Sequence, residues 1–154
     1  MEIGYELPLD ADGFLRRECP HCEQEFKWHH GPTEDAPSDF VYGDVYWCPR
    51  CGRAAALDQW FTQAQIDHQL AVVKAALPDV LGEALRSTSG SSSRSGITFS
   101  AKPSADRPSE PDPLVEPDDM DVIASPCHPW EPVKVPADAA TPVYCLLCGD
   151  AYAV

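Results

Sequence analysis

Seven cysteines, most of them in close pairs, constrain the fold of this chain more than any other feature of its sequence. Six form three Cys-x-x-Cys pairs: Cys19 and Cys22, Cys48 and Cys51, and Cys145 and Cys148. The seventh, Cys127, stands alone beside His128. An odd number of cysteines in close pairs suits metal ligation better than a disulfide framework. We therefore interpret these residues as metal ligands.

The first two pairs are both Cys-Pro-x-Cys turns, which direct two sulfur atoms toward one point with backbone amides facing them. Zinc suits two such turns because it binds thiolate at about 2.3 Å and accepts four sulfur ligands without redox chemistry. Gly52 directly follows the second pair and supplies the permissive backbone that such a turn often requires. The predicted ligands of this first zinc site are Cys19, Cys22, Cys48 and Cys51. Iron in a rubredoxin-like site is the open alternative.

A second ligand set lies near the carboxyl terminus. Cys127 stands where another pair would normally be, with Trp130 at the position of the missing cysteine. His128 is the best fourth ligand, because Pro126 and Pro129 favour a bend that brings adjacent cysteine and histidine to one metal. The predicted ligands are Cys127, His128, Cys145 and Cys148. We thus expect two zinc ions per chain, and the alternative for the second is a site completed by water.

Residues 19–52 resemble a zinc ribbon, a family in which two Cys-Pro-x-Cys knuckles lie at the ends of a small antiparallel sheet. The 25 residues between the pairs exceed the usual spacing of about 15 to 20. The loop 29–39 would accommodate the excess. Residues 127–149 repeat the order of strand, loop, strand and cysteine pair, which indicates a diverged second zinc-ribbon-like unit. The resemblance implies β-hairpin units that bind nucleic acid in many members of the family.

The rest of the pattern predicts a small, metal-stabilised α+β protein. Clusters of aromatic and β-branched residues predict short strands at 26–28, 40–42, 45–47, 133–135 and 143–144. Thr62 and Gln65 match a capping box, so a helix should begin at Gln63. An apolar stripe follows at Ile66, Leu70, Val73 and Leu77. Pro78 should end or kink this helix, and helical structure should continue to about residue 85.

The stretch 87–121 is rich in serine, then in proline and acidic residues, a composition that favours an extended chain. We therefore predict three parts. A zinc ribbon with its helix occupies residues 1–86, a flexible acidic linker residues 87–121, and the second zinc-ribbon-like unit residues 122–154. Ordering of the linker against a partner is the alternative, with small apolar anchors such as Leu114 and Val115.

The formal charge of −14 restricts the partners. It becomes roughly −17 if both zinc sites fill. Such a chain repels phosphate backbones and attracts a basic protein. Nucleic-acid binding would need a local basic patch, for which the candidates are Arg16, Arg17, Lys27, Arg50 and Arg53.

We expect the protein to be cytoplasmic. The amino terminus lacks the pattern of a signal peptide, and no apolar run approaches the roughly 18 residues of a membrane span. We therefore expect no contact with a membrane. Thiols in the cytosol are kept reduced, which again favours metal ligation over disulfides.

We expect a protein-interaction adaptor and not an enzyme. Nucleobase deaminases use a His-x-Glu element at their zinc, whereas Glu131 lies one place too late after His128. The candidate anchors for a protein partner are Trp28, Trp47, Trp60 and Trp130, with core packing as the competing interpretation. Two alternatives stay open. In the first, the chain is a zinc ribbon that binds nucleic acid. In the second, it is an acidic mimic of nucleic acid that binds the basic surface of a nucleic-acid-binding protein.

Overall fold

The computed structural model describes residues 6–29, 31–88 and 108–154. Within these ranges the elements are β1 (Phe14–Glu18), β2 (Glu25–His29), β3 (Val45–Trp47), β4 (Ala54–Ala56), α1 (Gln63–Thr88), β5 (Asp121–Ile123), β6 (Val133–Val135), β7 (Val143–Tyr144) and β8 (Ala151–Tyr152). Every strand pair is antiparallel. A small α+β fold is therefore confirmed. In the described part of the chain, no helix is long and apolar enough to cross a membrane.

The chain divides into two compact units. Among the described residues, the sheet unit comprises 7–29, 31–65 and 114–154, and the helix unit contains Glu6, 66–88 and 108–113. All seven cysteines lie in the sheet unit. The sequence led us to expect residues 122–154 as a separate unit, and the structure differs because β6 pairs with β2.

This pairing builds a four-stranded sheet in the order β1-β2-β6-β5. Trp28 lies opposite Val133, and Lys27 lies opposite Lys134. The hairpins β3-β4 and β7-β8 form two further sheets of two strands each. The predicted strands at 26–28, 45–47, 133–135 and 143–144 are present, whereas the predicted strand at 40–42 is wrong. Phe40 instead packs its ring against Tyr42 and Trp130, so side-chain contacts replace strand pairing there.

The core of the sheet unit is aromatic. Trp60 is fully buried and packs edge-on against Phe26 and Trp28, with ring centroids 5.6 and 5.9 Å apart. Edge-to-face packing of this kind adds to the free energy gained by burying the rings. Trp28 and Trp60 are thus core residues, and Trp47 and Trp130 are half-buried.

The predicted capping box is confirmed at the start of α1. The Thr62 amide donates to Gln65 Oε1, and the Gln65 amide donates to Thr62 Oγ1, each at 3.1 Å. Gln65 Nε2 also donates to the Arg16 carbonyl oxygen at 2.9 Å, which ties Gln65 to β1. The helix does not end at Pro78 but continues to Thr88. Proline removes one amide donor from the hydrogen bonds of the helix, but the helix-forming residues beyond Pro78 continue the helix.

An ion cluster joins residues 116–119 to the sheet. Lys27 and Lys134 have side chains that are at most 1% exposed, and both donate to Asp10 Oδ2, at 3.2 and 2.9 Å. Glu116 lies 2.9 Å from Lys27, and Asp118 lies 2.7 Å from Lys134. The carboxylates of a segment predicted as linker therefore neutralise two buried ammonium groups. Leu114 and Val115, the predicted apolar anchors, are half-buried and 85% exposed respectively.

Replacing Asp10 with asparagine is expected to lower the free energy of unfolding by about 3 kcal/mol, because it leaves two buried lysines without their shared carboxylate. Burial raises the pKa of Asp10, but hydrogen bonds from Lys134, the Phe14 amide and Lys27 outweigh it and hold the pKa well below its usual range. This contribution is therefore present above pH about 4 and is lost as the pH falls through the folded-state pKa. Urea unfolding followed by tryptophan fluorescence measures it.

The matched control is Asp12→Asn, since Asp12 also pairs with Lys134, at 2.6 Å, but is 56% exposed. An exposed ion pair contributes at most about 1 kcal/mol. Equal losses for the two variants would contradict the role assigned to the buried carboxylate.

Candidate metal centres

Three cysteine turns share one backbone geometry. We call them knuckle 1 (19–23), knuckle 2 (48–52) and knuckle 3 (145–149). In each, the first cysteine donates its amide to the carbonyl five residues later, at 2.9 to 3.1 Å, and the residue four places later donates back at 2.8 to 2.9 Å. That last residue has a positive φ in every case: Glu23 at 56°, Gly52 at 70° and Gly149 at 77°.

Each knuckle connects the two strands of a hairpin, namely β1-β2, β3-β4 and β7-β8. The hairpin brings its paired cysteines to one end of a ribbon with both sulfurs on the same side. The backbone freedom predicted for Gly52 is confirmed by its φ, because L side chains rarely adopt this conformation. Glu23 also has a positive φ although it is not glycine, and the sequence around Glu23 does not indicate this conformation.

The first centre forms where knuckles 1 and 2 meet. Cys19 Sγ lies 3.7 Å from Cys51 Sγ, and Cys22 Sγ lies 3.8 Å from Cys48 Sγ. All four sulfur atoms lie within 4.8 Å of one another. Four sulfurs placed tetrahedrally at about 2.3 Å from a zinc ion would be about 3.8 Å apart. The cluster therefore has the dimensions of a four-thiolate metal site.

Backbone amides favour the thiolate form of one ligand in this centre. The His21 amide donates to Cys19 Sγ at 3.4 Å, and the Arg50 amide donates to Cys48 Sγ at 3.3 Å. Burial raises the pKa of Cys19, but amide hydrogen bonds from Cys22 and His21 lower it overall.

The neighbouring thiols respond in the opposite direction. Burial and the neighbouring sulfurs raise the pKa of Cys22 to about 11 and that of Cys48 still further. Cys22 and Cys48 therefore resist ionising next to a neighbouring thiolate, because the two negative charges repel each other. A divalent cation removes this repulsion, so the donor set fits a bound metal ion better than it fits four free thiols.

The second centre brings knuckle 3 together with the turn 125–128. Cys127 Sγ lies 3.4 Å from Cys148 Sγ, and Cys145 Sγ lies 3.3 Å from His128 Nδ1. These four ligand atoms also lie within 4.8 Å of one another. The two centres differ in burial, since Cys127 is exposed whereas Cys19 and Cys48 are fully buried.

Ser125 is the residue that sequence reasoning missed. It is 3% exposed, and its hydroxyl donates to Cys145 Sγ at 3.2 Å while accepting the His128 amide at 3.1 Å. A serine three residues before the histidine, in the sequence Ser-Pro-Cys-His, is a local signal for this turn. Trp130, at the position of a missing cysteine, instead packs its ring 5.2 Å from that of His128.

Knuckles 2 and 3 interlock reciprocally. The Trp47 amide donates to the Leu146 carbonyl at 2.9 Å, and the Tyr144 amide donates to the Pro49 carbonyl at 3.0 Å. The Trp47 ring lies against Gly149 of knuckle 3, and the Tyr144 ring lies against Gly52 of knuckle 2. Equivalent residues of the two knuckles thus make equivalent contacts. The symmetry of these contacts fits the internal duplication that the sequence suggested. The same contacts hold the two centres together.

Gly149→Ala is expected to lower the free energy of unfolding by about 3 kcal/mol. A Cβ atom there would lie 2.4 Å from Trp47 Cδ1, and the φ of 77° adds a cost of about 1 to 2 kcal/mol for any L side chain. Gly43→Ala is the control, because a Cβ there would have open space around it and Gly43 lacks a positive φ. Thermal unfolding of the metal-loaded variants measures this loss of stability. Equal melting temperatures for Gly149→Ala and Gly43→Ala would contradict the interlock of knuckles 2 and 3.

The structure brings the eight predicted ligands together as two clusters that could hold metal ions. Comparison of the chain with protein-family models, curated proteins and solved structures found no match.

Proposed function

We propose that this chain is a protein-interaction module of zinc-ribbon type, in which two zinc ions have a structural role and catalysis is absent. The observation that carries the proposal is the pair of complete four-ligand clusters joined by interlocking knuckles. A thiolate set of four, and a set of three with one imidazole, are both typical of structural zinc. The ions would hold three hairpins together in a unit too small to rely on its apolar core alone.

The ligand count supports a structural role. A catalytic zinc keeps one coordination position open for water or substrate, whereas each cluster here offers four protein ligands. Glu131 is the first carboxylate after His128 in the sequence. It accepts a hydrogen bond from the Tyr42 hydroxyl at 2.9 Å and is buried. This position does not suit a general base that must reach a metal-bound water.

The basic residues near the knuckles argue against nucleic-acid binding. Arg16 pairs with Glu25, Glu116 and Asp119 at 2.6 to 2.9 Å, Lys27 is fully buried, and Arg17 is buried over the rings of Trp28 and Phe61. Three of the five candidate bases are therefore engaged within the chain. The formal charge of −14 on the whole chain then favours a protein partner over a phosphate backbone.

Cobalt substitution tests the structural role of the metal. Cobalt(II) should give the visible spectrum of tetrahedral thiolate sites, and added azide should leave that spectrum unchanged because no position is open. A spectral shift with azide would indicate an exchangeable ligand and would favour catalysis.

Retention on immobilised DNA tests the competing binding function. The zinc-loaded chain should pass through at about 0.05 M salt, where electrostatic attraction to phosphates is strong. Salt-dependent retention, lost in Arg50→Glu together with Arg53→Glu, would favour the nucleic-acid-binding alternative. Capture of a basic protein that DNA displaces would instead favour the acidic mimic.

A further inference from the structure

One face of α1 exposes a row of large apolar side chains. The exposed fractions are 39% for Ile66, 52% for Leu70, 42% for Val73, 47% for Leu77, 52% for Leu81 and 58% for Leu85. The helix is 26 residues long, or about 39 Å. A continuous apolar row of this length on a helix marks an interaction surface. By contrast, all four tryptophans that the sequence offered as anchors are buried or half-buried.

The spacing of this surface identifies the kind of partner. Ile66, Leu70, Val73 and Leu77 of this row recur at alternating intervals of four and three. The half-buried Val80 and the exposed Ala84 continue that spacing, while Leu81 and Leu85 lie beside it. A strict seven-residue repeat keeps the apolar row facing a second helix that winds around the first, which a repeat of 3.6 would not do. In heptad notation Leu70, Leu77 and Ala84 are a positions, whereas Ile66, Val73 and Val80 are d positions. The partner is therefore a helix.

The residues that flank the row favour a second copy of the same helix. In a parallel, in-register arrangement each g residue faces the e residue five places later in the other copy. This places Gln69 opposite Lys74 and Ala76 opposite Leu81, without like charges across the seam. An antiparallel arrangement that aligns all six layers would place Lys74 opposite Lys74, which is unfavourable.

Charge does not oppose this self-association at the seam. The range 63–88 contains three acids and two bases, so the helix is almost neutral although the whole chain carries −14. The repulsion between copies comes from outside the seam and is screened by salt at distances beyond about 10 Å. Pro78 occupies a b position, which faces away from the seam.

The identities of the a and d residues indicate the number of copies. Leucine at a with β-branched residues at d disfavours a two-stranded coiled coil and favours larger assemblies. Apolar residues at the flanking positions, Ala76 and Leu81, widen the buried face as an assembly of more than two helices requires. We propose that α1 joins four copies of this chain in a parallel, in-register bundle. The inference is independent of the metal centres, whose ligands all lie outside α1.

Sedimentation equilibrium of the full, metal-loaded chain tests the proposal. The chain mass is 16.8 kDa, and the expected species at about 100 μM has four times that mass. Leu77→Glu places a charge in the seam and should weaken association at least tenfold. Ala64→Glu adds the same charge at an exposed b position of α1 and should leave the assembly unchanged. Circular dichroism of both variants checks that the helix persists.

Salt separates this apolar seam from an interface built on ion pairs. Association should strengthen between about 0.05 and 0.5 M salt, because screening reduces repulsion between the acidic chains. A monomer at every concentration, a dimer, or an assembly that Leu77→Glu leaves intact would overturn the proposal. Loss of metal with the assembly preserved would leave it standing and would count only against the proposed zinc sites.

Discussion

Replacing Cys48 with serine is expected to unfold the whole sheet unit and to release both metal ions. Cys48 is fully buried, so neither water nor a serine hydroxyl can readily complete the first centre. A structural zinc contributes on the order of 10 kcal/mol to folding, which is comparable to the total stability of a small domain. Loss of this ion would also disorder knuckle 2, which holds knuckle 3 through the Trp47 and Tyr144 amides.

Amide spectra and metal content of the Cys48→Ser variant provide the measurement. Signals from residues 143–148 should disappear together with those from knuckles 1 and 2. The flexible linker that the sequence predicts at 87–121 would instead leave these residues folded. Retention of one zinc with intact signals from knuckle 3 would show that the two centres fold independently. The contacts between knuckles 2 and 3 would then contribute little to the free energy of folding.

His128→Ala is expected to weaken metal binding at the second centre by more than a hundredfold and to leave the first centre occupied. Three thiolates would remain, and water can reach this corner because Cys127 is exposed. Zinc binds histidine as neutral imidazole, and alanine offers no ligand atom in its place.

Competition with a chromophoric chelator measures the two affinities separately. His128→Cys supplies a control, since a fourth thiolate should restore most of the lost affinity if the backbone lets the shorter side chain reach. Ser125→Ala should have a smaller effect, because Ser125 orients Cys145 and His128 without offering a ligand atom of the cluster. Unchanged affinities in His128→Ala would mean that another group or water is the fourth ligand.

The local signals in the sequence were reliable where the chemistry is local. Cys-x-x-Cys spacing, together with the adjacent Cys127 and His128, predicted the residues that the structure brings into two clusters. Thr62 and Gln65 located the start of α1. Strand β1 was not predicted because the charged residues Arg16, Arg17 and Glu18 are not typical of a strand. Strand β4 was not predicted because it consists of alanine, which has low strand propensity.

Features that depend on distant residues were not visible in the same way. The composition of β2 and β6 does not indicate that they pair, because either could occupy an edge or pair with another strand. Glu116 and Asp119 looked like spacer residues since their partners, Lys27 and Arg16, lie about a hundred positions away. The sequence does not indicate that Trp47 and Trp130 pack beside the two cysteine clusters, because burial of an aromatic side chain is decided by the tertiary fold.

Elemental analysis of the purified, folded chain tests the central claim most directly. Two complete ligand clusters predict about two zinc ions per chain, with folding lost when a strong chelator removes them. Iron in place of zinc at the first centre would change the metal but keep the ligands. A folded chain with a metal content near zero would contradict the claim that these clusters are metal centres.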